Sequence, residues 1–198
     1  TKQWFLSIDE IKEKMVEDNE KVRWLPPFGK ERFRNWLKDA TDWCISRQRY
    51  WGIPLPVWVC EKCNNIEVIG SFEELKRKSI ENLPENMDLH KNYVDKVVLK
   101  CEKCEGKMKR VSDVVDVWFD SGIAPWASLG YPFKGKELFE RLWPVDLVDE
   151  SQDQIRGWFY SLMFTSVSVF GRAPYESVAM NGWVLDEKGE KMSKSLGN

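Results

Sequence analysis

Two clusters of side chains in this sequence have the types and spacing that do chemistry. The first is four of the five cysteines, arranged as Cys60-x-x-Cys63 and Cys101-x-x-Cys104 with 37 residues between the pairs. Each pair can form a knuckle that points two thiolates at one ion, and two knuckles make a closed tetrahedral Zn2+ site with Zn–S of ~2.3 Å. Four protein ligands leave no open position, so such an ion holds structure rather than reacting. Asn64-Asn65 after the first pair and Gly106 after the second are residues that tight turns favour. The competing reading is a set of buried or redox-active thiols. The gap is wider than the about 15–20 residues of a compact zinc ribbon, which implies that the intervening segment folds as a flap of its own. Paired knuckles in a chain with an odd cysteine count fit a reduced, cytosolic setting better than a disulfide framework. The fifth, Cys44, sits in an apolar stretch and is expected to be a packed core thiol.

The second cluster is Lys191-Met192-Ser193-Lys194-Ser195, bracketed by Gly189 and Gly197. Two ammonium groups three residues apart, with two small hydroxyls beside them, suit an anionic polyphosphate. Charge placed this way accelerates a displacement at phosphorus when it meets charge developing in the transition state. On charge alone, a solvated loop is the competing reading.

The elements that must position these groups follow from the hydrophobic pattern. Ser7 followed by Glu10 fits a capping box ahead of a helix over residues 8–20, and residues 29–43 form a second amphipathic helix. Pro54 and Pro56 keep residues 53–60 extended. Residues 71–79 are predicted as a helix and 93–100 as a strand within a polar insertion. Beyond it, apolar segments at 113–119 and 143–149, a long helix over 153–170 and a strand over 175–185 alternate as in an α/β layer with a largely parallel sheet. The resulting division is 1–56 as core helices and connection, 57–110 as the zinc insertion, and 111–198 as the second α/β half. Net charge is −2, so any nucleic-acid contact must come from a local basic patch. No apolar run reaches the about 18 residues of a membrane span.

Several stretches carry a family resemblance. Residues 191–195 read KMSKS, residues 43–52 read WCISRQRYWG, residues 116–122 read DVWFDSG and residues 150–159 read ESQDQIRGWF. Together they resemble class I aminoacyl-tRNA synthetases of the isoleucyl branch, over essentially the whole chain. The second of the two Asp residues in DVWFDSG and the Val before its Trp separate this pattern from the valyl branch, and the Trp separates it from the leucyl branch.

The resemblance implies the second half of a Rossmann-like catalytic domain with a small zinc-binding insertion. It implies that Lys191 and Lys194, helped by Ser193 and Ser195, hold the β,γ-phosphates of ATP, a substrate taken with Mg2+, with Lys194 the key one. Glu150, Asp153, Gln154 and Gly182 would contact the aminoacyl-adenylate, and Trp118 and Trp158 would wall the isoleucine pocket. Their competing role is core packing. Two positions depart from the family pattern, Ser151 for Gly and Asn181 for His.

The implied partners are isoleucine, ATP and tRNA(Ile), with no membrane. The family's H-x-G-H signature would lie in the remainder of the parent polypeptide, as would the editing and anticodon-binding domains. The single histidine here, His90, is expected on the surface of the insertion. This reading makes the chain an excised piece that does not charge tRNA alone. Two alternatives stand beside it. One is a valyl or leucyl member of the class. The other is a non-catalytic zinc module that binds tRNA through a basic face of Lys96, Lys100, Lys103, Lys107, Lys109 and Arg110.

Overall fold

The computed structural model describes residues 2–48, 52–195 and 197; Arg49, Tyr50 and Trp51 of the WCISRQRYWG stretch lie outside them. In chain order the first elements are β1 (Phe5–Leu6), α1 (Lys12–Lys21), β2 (Arg23–Leu25), α2 (Phe28–Asp39), β3 (Trp43–Cys44), β4 (Ser46–Arg47), β5 (Val57–Cys60) and β6 (Ile66–Val68). They are followed by α3 (Phe72–Lys78), α4 (Lys91–Val94), β7 (Val98–Lys100), β8 (Lys107–Arg110), β9 (Val114–Val115), α5 (Val117–Ala127) and α6 (Lys136–Leu142). The last are β10 (Val145–Ser151), a 3-10 turn over Gln152–Arg156, α7 (Trp158–Phe170) and β11 (Tyr175–Asn181). The chain divides into two compact units. One is built from the residues up to Phe5 with Cys44–Val117, the other from Leu6–Trp43 with the residues from Trp118 onward.

The second unit is the α/β layer. Its sheet has the order β10-β11-β2 and is parallel throughout, with Val148 opposite Val178 and Val178 opposite Trp24. Parallel neighbours need a crossover, and α7 supplies it between β10 and β11. Apolar residues lie on most sides of α7, and it is correspondingly buried at Phe159 and from Ser161 through Val167. Trp24 anchors the core, with ring centroids 5.3 Å from Phe33 and 5.5 Å from Phe159. The Phe159 contact is edge-to-face and the Phe33 contact tilted, and aromatic pairs of this kind add to the stabilisation from burial. Burial pushes the Tyr175 hydroxyl well above its ordinary pKa, and that hydroxyl donates to Phe159 O at 3.2 Å.

The first unit carries the zinc-type insertion as an antiparallel sheet of order β6-β5-β8-β7, covered by α3 and α4. Trp58, Leu99 and Met108 fill its core, and the Trp58 indole donates to Val97 O at 3.0 Å. Arg110 lies inside this unit. Its guanidinium donates to Leu55 O and Asp113 O and pairs with Asp95.

Several local expectations need correction. The capping box does not form. The Ser7 hydroxyl reaches only Asp9 N, at 3.4 Å, and α1 starts at Lys12 without a side-chain cap. Burial of Ile8, whose N–H donates to Asp42 at 3.0 Å, fixes residues 8–11 as a turn instead. Residues 91–94 are helical, steadied by a Lys91–Asp95 pair at i,i+4, and the strand begins at Val98. The expected helix over 153–170 is broken at Gly157, and β11 stops at Asn181. Cys44 is half-buried rather than core. His90 is exposed, as anticipated.

Candidate active site and metal centre

The four cysteines converge. All four Sγ atoms lie within 4.8 Å of one another, with Cys60–Cys104 at 3.5 Å and Cys63–Cys101 at 3.7 Å. A tetrahedron with metal–sulfur bonds of ~2.3 Å has edges of roughly 3.8 Å, so the spacing fits one tetrahedral ion. The knuckles are built alike. Asn64 N–H donates to Cys60 O at 3.0 Å, and Glu105 N–H to Cys101 O at 2.9 Å. Both residues after the knuckles are left-handed, Asn64 at φ 57° and Glu105 at φ 57°.

The second left-handed position is therefore Glu105, not the expected Gly106. Gly106 matters for a different reason: a Cβ there would crowd the thiols, at 3.1 Å from Cys60 Sγ and 3.2 Å from Cys104 Sγ. The electrostatics also favour a cation. Backbone N–H groups of Cys63 and then Lys62 draw the Cys60 thiol down to about 6. Cys104 also accepts from Gly106 N–H, but the neighbouring thiols, Cys63 first, outweigh that and push it up to about 12. One thiolate is accommodated and four repel, so a divalent ion at the centre is what makes four thiolates tolerable. The four cysteines thus form a site that can hold a metal ion. Lys78 braces it by bridging Glu67 at 2.6 Å and Glu102, inside the second knuckle, at 3.2 Å.

The expected basic face around the knuckles is reduced at three of its six positions. Lys100 pairs with Glu105 and Lys109 with Glu61, while Arg110 is buried.

In the α/β unit, Glu150, Asp153, Gln154, Trp118 and Trp158 gather where β10 runs into α7, at the carboxyl edge of the parallel strands where such folds take ligands. Glu150 is exposed near the end of β10. The Ser151 hydroxyl donates to Asp153, and Gln154 Nε2 donates to Asp153 Oδ2 at 3.1 Å. The Ser151 bond is the main cause holding the Asp153 carboxyl below its usual range, with the Gln154 amide and the charge of Lys191 adding to it. Lys191 is thereby placed within electrostatic range of Asp153.

Gln154 turns its other end inward, where Oε1 accepts from Trp158 N–H at 2.8 Å and starts α7. An alanine at Gly157 would put its Cβ 2.4 Å from that oxygen and 3.2 Å from the Trp118 ring, so glycine is what lets the three approach. Gln154, Trp118 and Trp158 are thus brought together around Gly157. Trp158 also borders an apolar cavity of ≈ 330 Å³, shared with Pro125, Trp143, Leu147 and Leu162. Trp118 is not among the cavity's lining residues. The two departures from the family pattern face each other, since Ser151 is the register partner of Asn181, whose amide donates to Asp149.

Gly182 follows β11, and the segment after it folds back as a tight hairpin. Met192 N–H donates to Val184 O at 3.1 Å and Asp186 N–H to Glu190 O at 2.8 Å. The Asp186 carboxylate accepts from Lys188 and Glu190 N–H, both at 2.9 Å, closing the turn. Lys191 Nζ stands 3.2 Å above the Trp183 ring, a cation–π contact. Ser193 and Ser195 share a hydroxyl hydrogen bond of 2.8 Å, and Lys194 is exposed. Trp183 was not anticipated as a site residue, although its place eight residues before Lys191 on a candidate phosphate loop was a visible signal.

Known proteins resemble this chain in sequence and in fold. Residues 1–198 match the family described as tRNA synthetases class I (I, L, M and V). The isoleucine–tRNA ligases of Archaeoglobus fulgidus and Methanosarcina acetivorans are 53% and 56% identical over 100% of this chain. The chain spans only 19% and 18% of their lengths. A Mycobacterium tuberculosis methionyl-tRNA synthetase bound by methionyl-adenylate shares the fold with a TM-score of 0.58 at 18% identity, over 99% of this chain and 28% of that one. The Agrobacterium radiobacter K84 LeuRS–tRNA–LeuAMS complex gives a TM-score of 0.53 at 25% identity, over 80% of this chain and 22% of that one. Motifs, fold and family match coincide, and this chain belongs to the class I tRNA synthetases of the I, L, M and V group.

Proposed function

We propose that the polypeptide containing this sequence is an isoleucine–tRNA ligase, and that this chain is the second half of its catalytic domain with a zinc insertion at 57–110. The observation that carries the reading is 52–56% identity to isoleucine–tRNA ligases across the whole chain. In the proposed reaction the isoleucine carboxylate attacks the ATP α-phosphate, pyrophosphate leaves, and the acyl group passes from the adenylate to the terminal ribose of tRNA(Ile). No covalent nucleophile is needed, because positioning and charge stabilisation supply the catalysis.

The roles follow from chemistry. Lys194 and Lys191 provide positive charge for the β,γ-phosphates, with Ser193 and Ser195 as hydrogen-bond donors. Leaving the Trp183 face costs Lys191 only a surface-scale cation–π contact of about 0.5–1 kcal/mol. Mg2+, carried in with ATP, would neutralise phosphate charge. Glu150, Asp153 and Gln154, ranged along one strand end, offer two carboxylates and an amide to an ammonium or a ribose hydroxyl. Trp118 and Trp158 supply the apolar wall. The four-cysteine site would hold Zn2+ as a structural ion, consistent with its all-thiolate tetrahedral set. The protein would work in the cytoplasm, and among the described residues no helix is long and apolar enough to cross a membrane. The isolated chain is not expected to charge tRNA.

The test of the pocket is a split between two constants. In the full-length polypeptide, Trp118→Ala or Trp158→Ala is expected to raise the isoleucine KM at least about tenfold, the scale of lost apolar pocket contacts, with the ATP KM nearly unchanged. Equal effects on both substrates would reduce the two tryptophans to packing residues.

A further inference from the structure

The Trp158 indole donates to a carbonyl whose usual helical donor position, four residues on, is a proline. α5 contains Pro125 well inside its span. Proline has no N–H, and its ring presses on the carbonyl four residues earlier, which tilts out of the helix ladder. In α5 that carbonyl belongs to Ser121. Its partner is supplied by the neighbouring helix: the Trp158 indole N–H donates to Ser121 O at 3.0 Å.

The same two helices are locked one residue further along. The buried Thr165 hydroxyl on α7 lies 2.8 Å from Gly122 O and 2.8 Å from Ser161 O. Gly122 has no side chain to hold α5 away, so the register of Ser121 against Trp158 is fixed by backbone contact. Pro125 and Trp158 also border the same apolar cavity.

We propose that Pro125 is a specificity-determining positioning residue, which turns the Ser121 carbonyl outward to fix the Trp158 indole in the orientation that bounds the amino-acid pocket. This rests on the pocket role given to Trp158 above. Trp158, whose backbone N–H donates to Gln154 Oε1 and whose ring N–H donates to Ser121 O, is held at both ends. A free ring of that size would otherwise have other χ2 states open to it. A pocket that separates side chains by one methylene depends on a wall that does not turn.

Replacing Pro125 by alanine restores an N–H that draws the Ser121 carbonyl back to its own helix, and it favours helix formation, so the variant folds. In the full-length polypeptide, Pro125→Ala is expected to raise the isoleucine KM of ATP–pyrophosphate exchange about three- to tenfold, the scale of one lost hydrogen bond, and to leave the ATP KM unchanged. In a Trp158→Phe background, which keeps an apolar ring without the N–H, the same substitution should add nothing.

A second readout does not depend on activity. In 5-fluorotryptophan-labelled protein, the fluorine resonance missing from Trp158→Phe reports this indole, and it should move in Pro125→Ala. Isoleucine KM effects of equal size in both backgrounds, or a fluorine resonance that stays in place, would overturn the proposal. A resonance that moves in a protein showing no isoleucine-dependent exchange would uphold the positioning and sink the substrate reading instead.

Discussion

Cys101→Ala is expected to empty the metal centre and melt the insertion while leaving the α/β unit folded. Cys101 is fully buried and is part of the same core as Trp58, Leu99 and Met108, so one substitution removes both a ligand and a core contact. Binding of a structural zinc ion contributes about 10–16 kcal/mol in small zinc-finger peptides, far more than one core side chain supplies. Three remaining thiols cannot close a tetrahedron, and the left-handed turns at Asn64 and Glu105 lose the ion that holds them. Hydrogen exchange should show loss of protection over residues 57–110 with little change from Trp158 to Asn181, and metal analysis should fall from about one ion per chain to none. Retained protection in the insertion, or clearly less than one zinc in the unsubstituted protein, would dismiss the structural-metal account.

Lys194→Ala is expected to reduce the rate of ATP–pyrophosphate exchange by about 100- to 1,000-fold, or about 3–4 kcal/mol, the scale of a lost transition-state charge contact. Lys194 is exposed beyond the hairpin that ends at Met192, which suits a group that meets its ligand only when the ligand is bound. Lys191, already seated over Trp183 and acting on Asp153, should matter less when substituted. The effect of Lys194→Ala should fall on kcat more than on the isoleucine KM. Exchange within about threefold of the unsubstituted protein would mean that the loop is a solvated surface feature.

The four-cysteine cluster was legible because its information is local. Two C-x-x-C pairs state the ligand set, and only the conformation at Glu105 was missed, since nothing in the sequence marks a glutamate for a left-handed turn. The parallel layer was legible because strands and a helix alternate between Val145 and Asn181 with apolar periodicity. The candidate site where β10 runs into α7 could be read mainly through resemblance. Periodicity alone runs a helix through residues 153–170, whereas the structure breaks it at Gly157, where the Gln154 amide oxygen and the Trp118 ring occupy the space a side chain would take. Tertiary contacts of that kind, like the hold of Asp42 on the Ile8 N–H, have no local signature. The basic face is smaller than expected for a similar reason. Arg110 lies among lysines in the sequence but is turned inward by Asp95 and two carbonyls.

The most direct test of the account is ATP–pyrophosphate exchange by the full-length polypeptide with isoleucine, valine and leucine supplied separately. Exchange is expected to be most efficient with isoleucine and about 10- to 200-fold less efficient with valine, the discrimination available from one methylene. Preference for valine or leucine would contradict the substrate assignment, and no exchange with any of the three would contradict the activity itself.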